Sequence, residues 1–196
     1  VGANAVQSLA QSWRRGRGEI GEEGPGHQER AVAESDTSFQ AISKFADVAR
    51  PAMGKRGFER QGAPVTSYVR LGDEKIRPKN QVYHPNCTLV LDPSLLISAP
   101  VFDGLTENSY FIVNTKAENG ADLVKNPNVK TVAWLDATSI ALERLGRPIT
   151  NTIMLGAFVR ATGWVDKDEL EKVICRFFGE KNVETFRRGY NEVKLY

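Results

Sequence analysis

The stretch Trp134-Leu135-Asp136-Ala137-Thr138-Ser139-Ile140-Ala141-Leu142-Glu143-Arg144-Leu145-Gly146, continued by Arg147-Pro148-Ile149-Thr150-Asn151-Thr152-Ile153-Met154-Leu155-Gly156-Ala157-Phe158-Val159-Arg160-Ala161-Thr162-Gly163, decides the fold. It reads as strand end, helix, loop and second helix. Thr131 to Leu135 is a short apolar run stopped by Asp136. Ile140, Ala141 and Leu145 then recur at helical spacing, with Gly146 as the C-terminal stop and Pro148 just beyond. The next helix is expected to start at Asn151 as N-cap, leaving free amide donors in its first turn, and to stop at Gly163. Gly156 and Ala157 within its apolar run predict a close approach by another backbone. Taken alone, such a unit is ordinary α/β core.

Other runs extend the pattern. Cys87-Thr88-Leu89-Val90-Leu91 and Ser109 to Asn114 are continuous apolar strands of the kind covered on both faces. Val65 to Leu71 alternates, with Val69 and Leu71 facing one way and Tyr68 and Arg70 the other. Gly72-Asp73-Glu74 is turn chemistry, so Lys75 to Arg77 is expected to return as a short antiparallel strand. Val32, Phe39, Ile42, Phe45 and Ala49 predict an amphipathic helix over 28–50, ended by Pro51. Asp166 is expected to cap a helix through Leu170 and Ile174, and 181–193 to form a last helix with Val183, Phe186 and Tyr190 inward. The expected fold class is α/β: three-layer α/β/α with a mostly parallel sheet and an antiparallel hairpin. The domain division is an irregular extension over 1–27 and a single α/β domain over 28–196.

Asp92, Asn114 and Asp136 close three of these strands. If the strands run parallel, their polar ends share the sheet edge where ligands gather in open α/β folds. The alternative, that Asp92 and Asp136 cap the helices after them, is the preferred reading.

The 196 residues carry 26 lysines and arginines against 24 aspartates and glutamates, a formal +2, which calls for no nucleic acid or anionic membrane as partner. No apolar run reaches the roughly 18 to 20 residues that span a bilayer, and the start lacks the order of a signal peptide. A soluble, cytoplasmic protein is expected. Cys87 and Cys175 lie far apart among apolar neighbours and read as buried free thiols. With two cysteines and the isolated histidines His27 and His84, the chain offers neither an iron–sulfur ligand set nor a zinc site. Gly16-Arg17-Gly18-Glu19-Ile20-Gly21 fits G-x-G-x-x-G but follows no strand, and Glu19, Glu22 and Glu23 would repel a pyrophosphate. No catalytic residue and no metal ligand emerges.

Several separated motifs, in order from Lys55 to the C-terminus, resemble the gamma subunit or domain of the 2-oxoacid:acceptor oxidoreductases, the pyruvate:ferredoxin oxidoreductase group. They are Gly57-Phe58-Glu59-Arg60-Gln61-Gly62-Ala63-Pro64, in which Gln61 stands where the family has arginine; Asp73-Glu74-Lys75-Ile76-Arg77; Tyr83-His84-Pro85-Asn86 through Asp92-Pro93-Ser94-Leu95-Leu96; Val113-Asn114-Thr115; and Asp136-Ala137-Thr138 through Gly146-Arg147-Pro148 to Asn151-Thr152 and Gly156-Ala157. One departure is plain. The family opens with an apolar strand and a Gly-x-Gly-Gly-Gln-Gly loop, where this sequence offers Gly21-Glu22-Glu23-Gly24-Pro25-Gly26-His27-Gln28.

The resemblance implies a complex that oxidatively decarboxylates a 2-oxoacid with coenzyme A. It further implies thiamine diphosphate, Mg and iron–sulfur clusters of the 4Fe-4S type in partner chains, and no cofactor held by this chain alone. The implied partners are thiamine-bearing alpha and beta subunits and an iron–sulfur subunit. Arg56, Glu59, Arg60 and the Asn151-Thr152 helix start are expected to line the coenzyme A or subunit contact. A purely structural subunit and a free-standing nucleotide-binding domain are the alternatives.

Overall fold

Along two neighbouring strands the side chains alternate between two apolar clusters. Phe111, Val113, Val132 and Trp134 enter one, and Ile112, Ala133 and Leu135 the other. A strand covered on both faces needs apolar residues at every position, which is why these runs lack a polar alternation. The computed structural model describes residues 30–34, 66–71 and 81–196. Its strands are β1 (Arg30–Glu34), β2 (Ser67–Leu71), β3 (Cys87–Val90), β4 (Ser109–Asn114), β5 (Val129–Leu135) and β6 (Lys194–Leu195). They form one sheet in the order β2-β1-β3-β4-β5-β6. β1, β3, β4 and β5 are parallel, while β2 and β6 run antiparallel to β1 and β5 at the two edges.

The connections divide by face. Between β3 and β4 lies the short helix α1 (Leu95–Ser98), and between β4 and β5 a 3-10 turn (Gly120–Leu123). Leu95, Leu96, Val101, Phe102, Ala121 and Val124 from these connections pack on the cluster of Phe111, Val113 and Trp134, with Phe102 stacked on Phe111 at 4.8 Å. After β5 come α2 (Ala137–Leu145), α3 (Asn151–Thr162), α4 (Lys167–Phe178) and α5 (Glu180–Glu192). Their apolar residues, among them Ile140, Ile153, Phe158, Leu170, Ile174 and Phe186, join Ile112 and Leu135 in the larger cluster. Among the described residues the layers are therefore helix, sheet, and a thin layer of short connections.

The predicted stops hold. Gly146 and Gly163 end α2 and α3 with φ of 67° and 61°, the left-handed region that a side chain resists. Asp166 Oδ1 caps α4 by accepting from Glu169 N at 3.0 Å. The close approach expected at Gly156 is met by α5: a Cβ there would stand 2.1 Å from Phe186 O, and one on Gly189 would stand 1.9 Å from Ile153 O.

Three expectations are corrected. Arg30–Glu34 is a strand and not the start of a helix, since Val32 pairs with Val69 on one side and Cys87 on the other; backbone pairing on both edges outweighs the helical period. Residues 35–50 of that expected helix, and the Lys75 to Arg77 return strand, lie outside the described residues. Thr150, not Asn151, is the N-cap of α3. Cys87 is buried, but Cys175 is exposed on α4 and donates to Glu180 Oε2 at 3.4 Å. The two-residue strand β6 has no counterpart in the sequence reading.

Candidate functional site

Because β3, β4 and β5 run parallel, their carboxyl ends share one edge of the sheet. Asn114 closes β4 there with only 3% of its surface exposed. Its Nδ2 donates to Leu91 O at 2.8 Å and to Thr138 Oγ1 at 2.9 Å, and its Oδ1 accepts from Ala137 N at 3.0 Å. One side chain thus ties the end of β3 to the first turn of α2. Asp136 Oδ1 accepts from Ser139 N at 2.9 Å and its Oδ2 from Ser139 Oγ at 2.6 Å, while Asp92 Oδ1 accepts from Ser94 N at 2.9 Å. Asp136 caps α2, in line with the preferred sequence reading, whereas Asp92 is not the cap of α1: the N-cap there is Ser94, which makes no side-chain cap, and Asp92 closes a turn before it.

Beyond Asn114, residues Thr115 to Glu118 meet the start of α2, the end of α5 and Lys194 around a cleft of about 350 Å³. Arg188 bridges its wall. Its Nη1 donates to Glu143 Oε2 at 2.7 Å, its Nη2 to Glu192 Oε2 at 3.1 Å, and its Nε to Glu192 Oε1. The Arg188 hydrogen bond holds the Glu143 carboxyl below the usual glutamate range, against a smaller opposing effect of desolvation. The bonds to Glu192 and then Glu143 push the guanidinium up in turn. Glu143 and Glu192 are largely solvated, so this latch orders the wall more than it stabilises the fold.

Lys194 Nζ donates to Glu118 O at 3.5 Å on the far side, and Lys116 adds a second cation. Trp134 also lines the cleft, and its buried Nε1 has no acceptor among the described residues, a donor that water or a ligand oxygen would satisfy. The cleft brings together the cations Lys116, Arg188 and Lys194, the carboxylates Glu118, Asp136, Glu143 and Glu192, and the hydroxyls of Thr115 and Ser139. The one lining hydroxyl shown bonded to a carboxylate, Ser139 on Asp136, belongs to the α2 cap, since the same aspartate also accepts from Ser139 N.

Of the residues singled out from the sequence, Arg56, Glu59 and Arg60 lie outside the described residues. Asn151 is the first residue of α3 and half-buried. The buried hydroxyl of Thr152 sits 2.9 Å from Thr185 Oγ1 and 3.4 Å from Asn182 Oδ1, so it belongs to the contact between α3 and α5. The helix start is covered: Thr150, Thr152 and Ile153 are buried and Asn151 is half-buried. Thr150 makes no side-chain cap, and Met154 N to Thr150 O is the opening bond, so the three amides before it have no partner within the helix. Sequence reasoning missed Arg188 and Glu143, which are 45 positions apart; only the i, i+4 spacing of Arg188 and Glu192 signalled a pair.

Comparison with known proteins gives a consistent result. Residues 52–192 match the family model described as Pyruvate ferredoxin/flavodoxin oxidoreductase. The chain is 45% identical over 142 residues to pyruvate synthase subunit PorC of Methanothermobacter marburgensis, covering 70% of this chain and 77% of that one. It is also 45% identical over 147 residues to the pyruvate/ketoisovalerate oxidoreductases common subunit gamma of Pyrococcus furiosus, covering 71% and 78%. Among solved structures, pyruvate oxidoreductase subunit PORC of Thermotoga maritima superposes with a TM-score of 0.61 at 29% identity, over 99% of this chain and 90% of that one.

Proposed function

This chain belongs to the pyruvate ferredoxin/flavodoxin oxidoreductase family, and from that premise we propose that it is the gamma subunit of a 2-oxoacid:acceptor oxidoreductase complex. One observation carries the reading: relatives that share 45% identity over some 70% of this chain are named as the gamma or C subunit of such enzymes. In this reading 28–196 is one gamma-type domain, and 1–27 is an extension to it. The complex converts a 2-oxoacid and coenzyme A to acyl-CoA, CO2, a proton and two electrons, which pass to ferredoxin or another acceptor.

The redox and thiamine chemistry belongs to partner chains. The two cysteines do not fit a cluster, since Cys87 is buried in β3 and Cys175 is exposed on α4, and among the described residues no group of three or more His, Cys, Asp or Glu could hold a metal ion. Thiamine diphosphate supplies carbanion stabilisation when bound in those partners. This chain contributes a contact surface. Arg56, Glu59 and Arg60, with the amides at the start of α3, hold a coenzyme A phosphate or a partner carboxylate; free helix N-terminal amides and guanidinium groups suit either anion. A purely structural subunit is the second reading, and the use of the Thr152 hydroxyl in helix packing favours it.

Anaerobic purification of the tagged chain from its host tests the proposal. Thiamine- and cluster-bearing chains are expected to co-purify, with viologen reduction driven by a 2-oxoacid and dependent on coenzyme A. Recovery of the chain alone from active extract would overturn the subunit reading. Arg60→Ala is expected to raise the apparent KM for coenzyme A or to weaken assembly; if both are unchanged, Arg60 has no part in the contact.

A further inference from the structure

Among the described residues the two faces of the sheet are covered unequally, and the thin one carries an apolar turn. α1 is Leu95-Leu96-Ile97-Ser98, three apolar residues in four, yet none of the four is buried. Leu95 and Leu96 lean on the cluster beneath. Ile97 is 94% exposed. A single apolar side chain on a surface is ordinary, but a whole apolar turn that the described residues leave unburied marks a candidate contact surface.

Charge identifies the occupant. From Gln81 to Thr115 the sequence has three carboxylates, Asp92, Asp103 and Glu107, and no lysine or arginine. All three carboxylates are exposed. Asp92 lies three residues before α1 and Asp103 comes after it at the turn where Asp103 N bonds to Pro100 O. The apolar turn is therefore flanked by negative charge that no cation in this connection offsets. A two-fold contact with a second copy would set this patch against itself and bring carboxylate to carboxylate. A different chain with an apolar pocket edged by lysine or arginine meets both features.

We propose that the α1 turn, centred on Ile97 and flanked by Asp92 and Asp103, is a docking surface for another subunit of the oxidoreductase complex, one that receives Ile97 in an apolar pocket with a basic rim. This rests on the gamma-subunit reading. Ile97 is the anchor, because a side chain this exposed buries nearly its whole area on docking, and such central anchors dominate interfaces. The carboxylates set orientation and the rate of encounter, and their effect weakens with salt.

The test uses the whole complex, co-expressed with tagged wild-type chain, Ile97→Asp, Ile97→Leu or Asp103→Lys and purified anaerobically at low and high salt. Ile97→Asp is expected to cut recovery of the partner subunits per tagged chain at least about tenfold, with Ile97→Leu close to wild type. Asp103→Lys is expected to lower recovery most at low salt. The thermal melts of the tagged chains should coincide, since Ile97 supports little of the fold. Undiminished assembly of Ile97→Asp beside a wild-type chain that recovers its partners would overturn the docking surface and leave the subunit reading standing. A wild-type chain that recovers no oxidoreductase subunit would overturn both. Loss of self-association alone in Ile97→Asp would assign the surface to a second copy and refute the proposal.

Discussion

Replacing Asn114 by alanine removes three hydrogen bonds in one step and is expected to be among the most damaging single changes at the sheet edge. The amide donates to Leu91 O and Thr138 Oγ1 and accepts from Ala137 N. Thr138 is half-buried, and its hydroxyl can turn to water. Ala137 is fully buried and Leu91 nearly so, so their backbone groups lose their partners where water has little access. Each buried group left unsatisfied costs about 1–3 kcal/mol. Two of them predict a loss of roughly 2–4 kcal/mol, allowing for partial entry of water into the space left by the side chain. With an m-value of about 2 kcal/mol/M, the urea midpoint of the full chain falls by about 1–2 M while m stays constant. Thr138→Ala removes one acceptor and leaves both backbone bonds intact, so its cost is expected below about 1 kcal/mol. A midpoint for Asn114→Ala within about 0.25 M of wild type, or equal losses in the two variants, would refute this account of the bracket.

Gly189→Ala places a Cβ against Ile153 O and is expected to destabilise the chain by about 1–3 kcal/mol through overpacking; a thermal melt checks it, and no change would show that the helices separate freely. The Glu143 carboxyl has its pKa lowered by Arg188, so as pH falls the unfolded chain takes up the proton first. The latch therefore contributes fully above the unfolded glutamate value of about 4.3 and is lost as pH falls through the lower folded value. Urea midpoints of wild type and Glu143→Gln should converge between pH 7 and pH 3, and a constant gap would contradict this. The thiol of Cys175 is pushed up by its bond to Glu180, then by desolvation and the carboxylate charge. It should alkylate slowly at pH 7 despite its exposure and several-fold faster in Glu180→Ala, as followed by mass spectrometry.

Local chemistry made much of this fold legible. Gly146 and Gly163 marked two helix ends, Asp136 and Asp166 two starts, and the unbroken apolar runs ending at Leu91 and Asn114 declared strands buried on both faces. Each signal acts within a few residues of itself. The features that escaped depend on distant partners. Arg30–Glu34 has no strong period of its own and is a strand through pairing with β2 and β3. β6 is two residues defined by Ala133 and Trp134 opposite them. Cys175 sits among Ile174 and Phe177 in sequence, but one residue of a helix is a turn of about 100°, which takes it off the Leu170–Ile174 stripe. At the candidate site the strand-end polar residues were visible from their positions, whereas the Arg188 latch was not, because its partner lies on another helix.

The contact of Gly156 and Gly189 has a mechanical consequence. Most helices meet through side chains, whose rotamers act as a cushion and let one helix shift a little without its neighbour. Here backbone rests on backbone, and no torsion is available to absorb a displacement. α3 and α5 therefore behave as one stiff lever. Arg188, which closes the cleft wall, adjoins the glycine that presses on Ile153 in the first turn of α3, so the cleft wall and that turn are built on the same rigid contact.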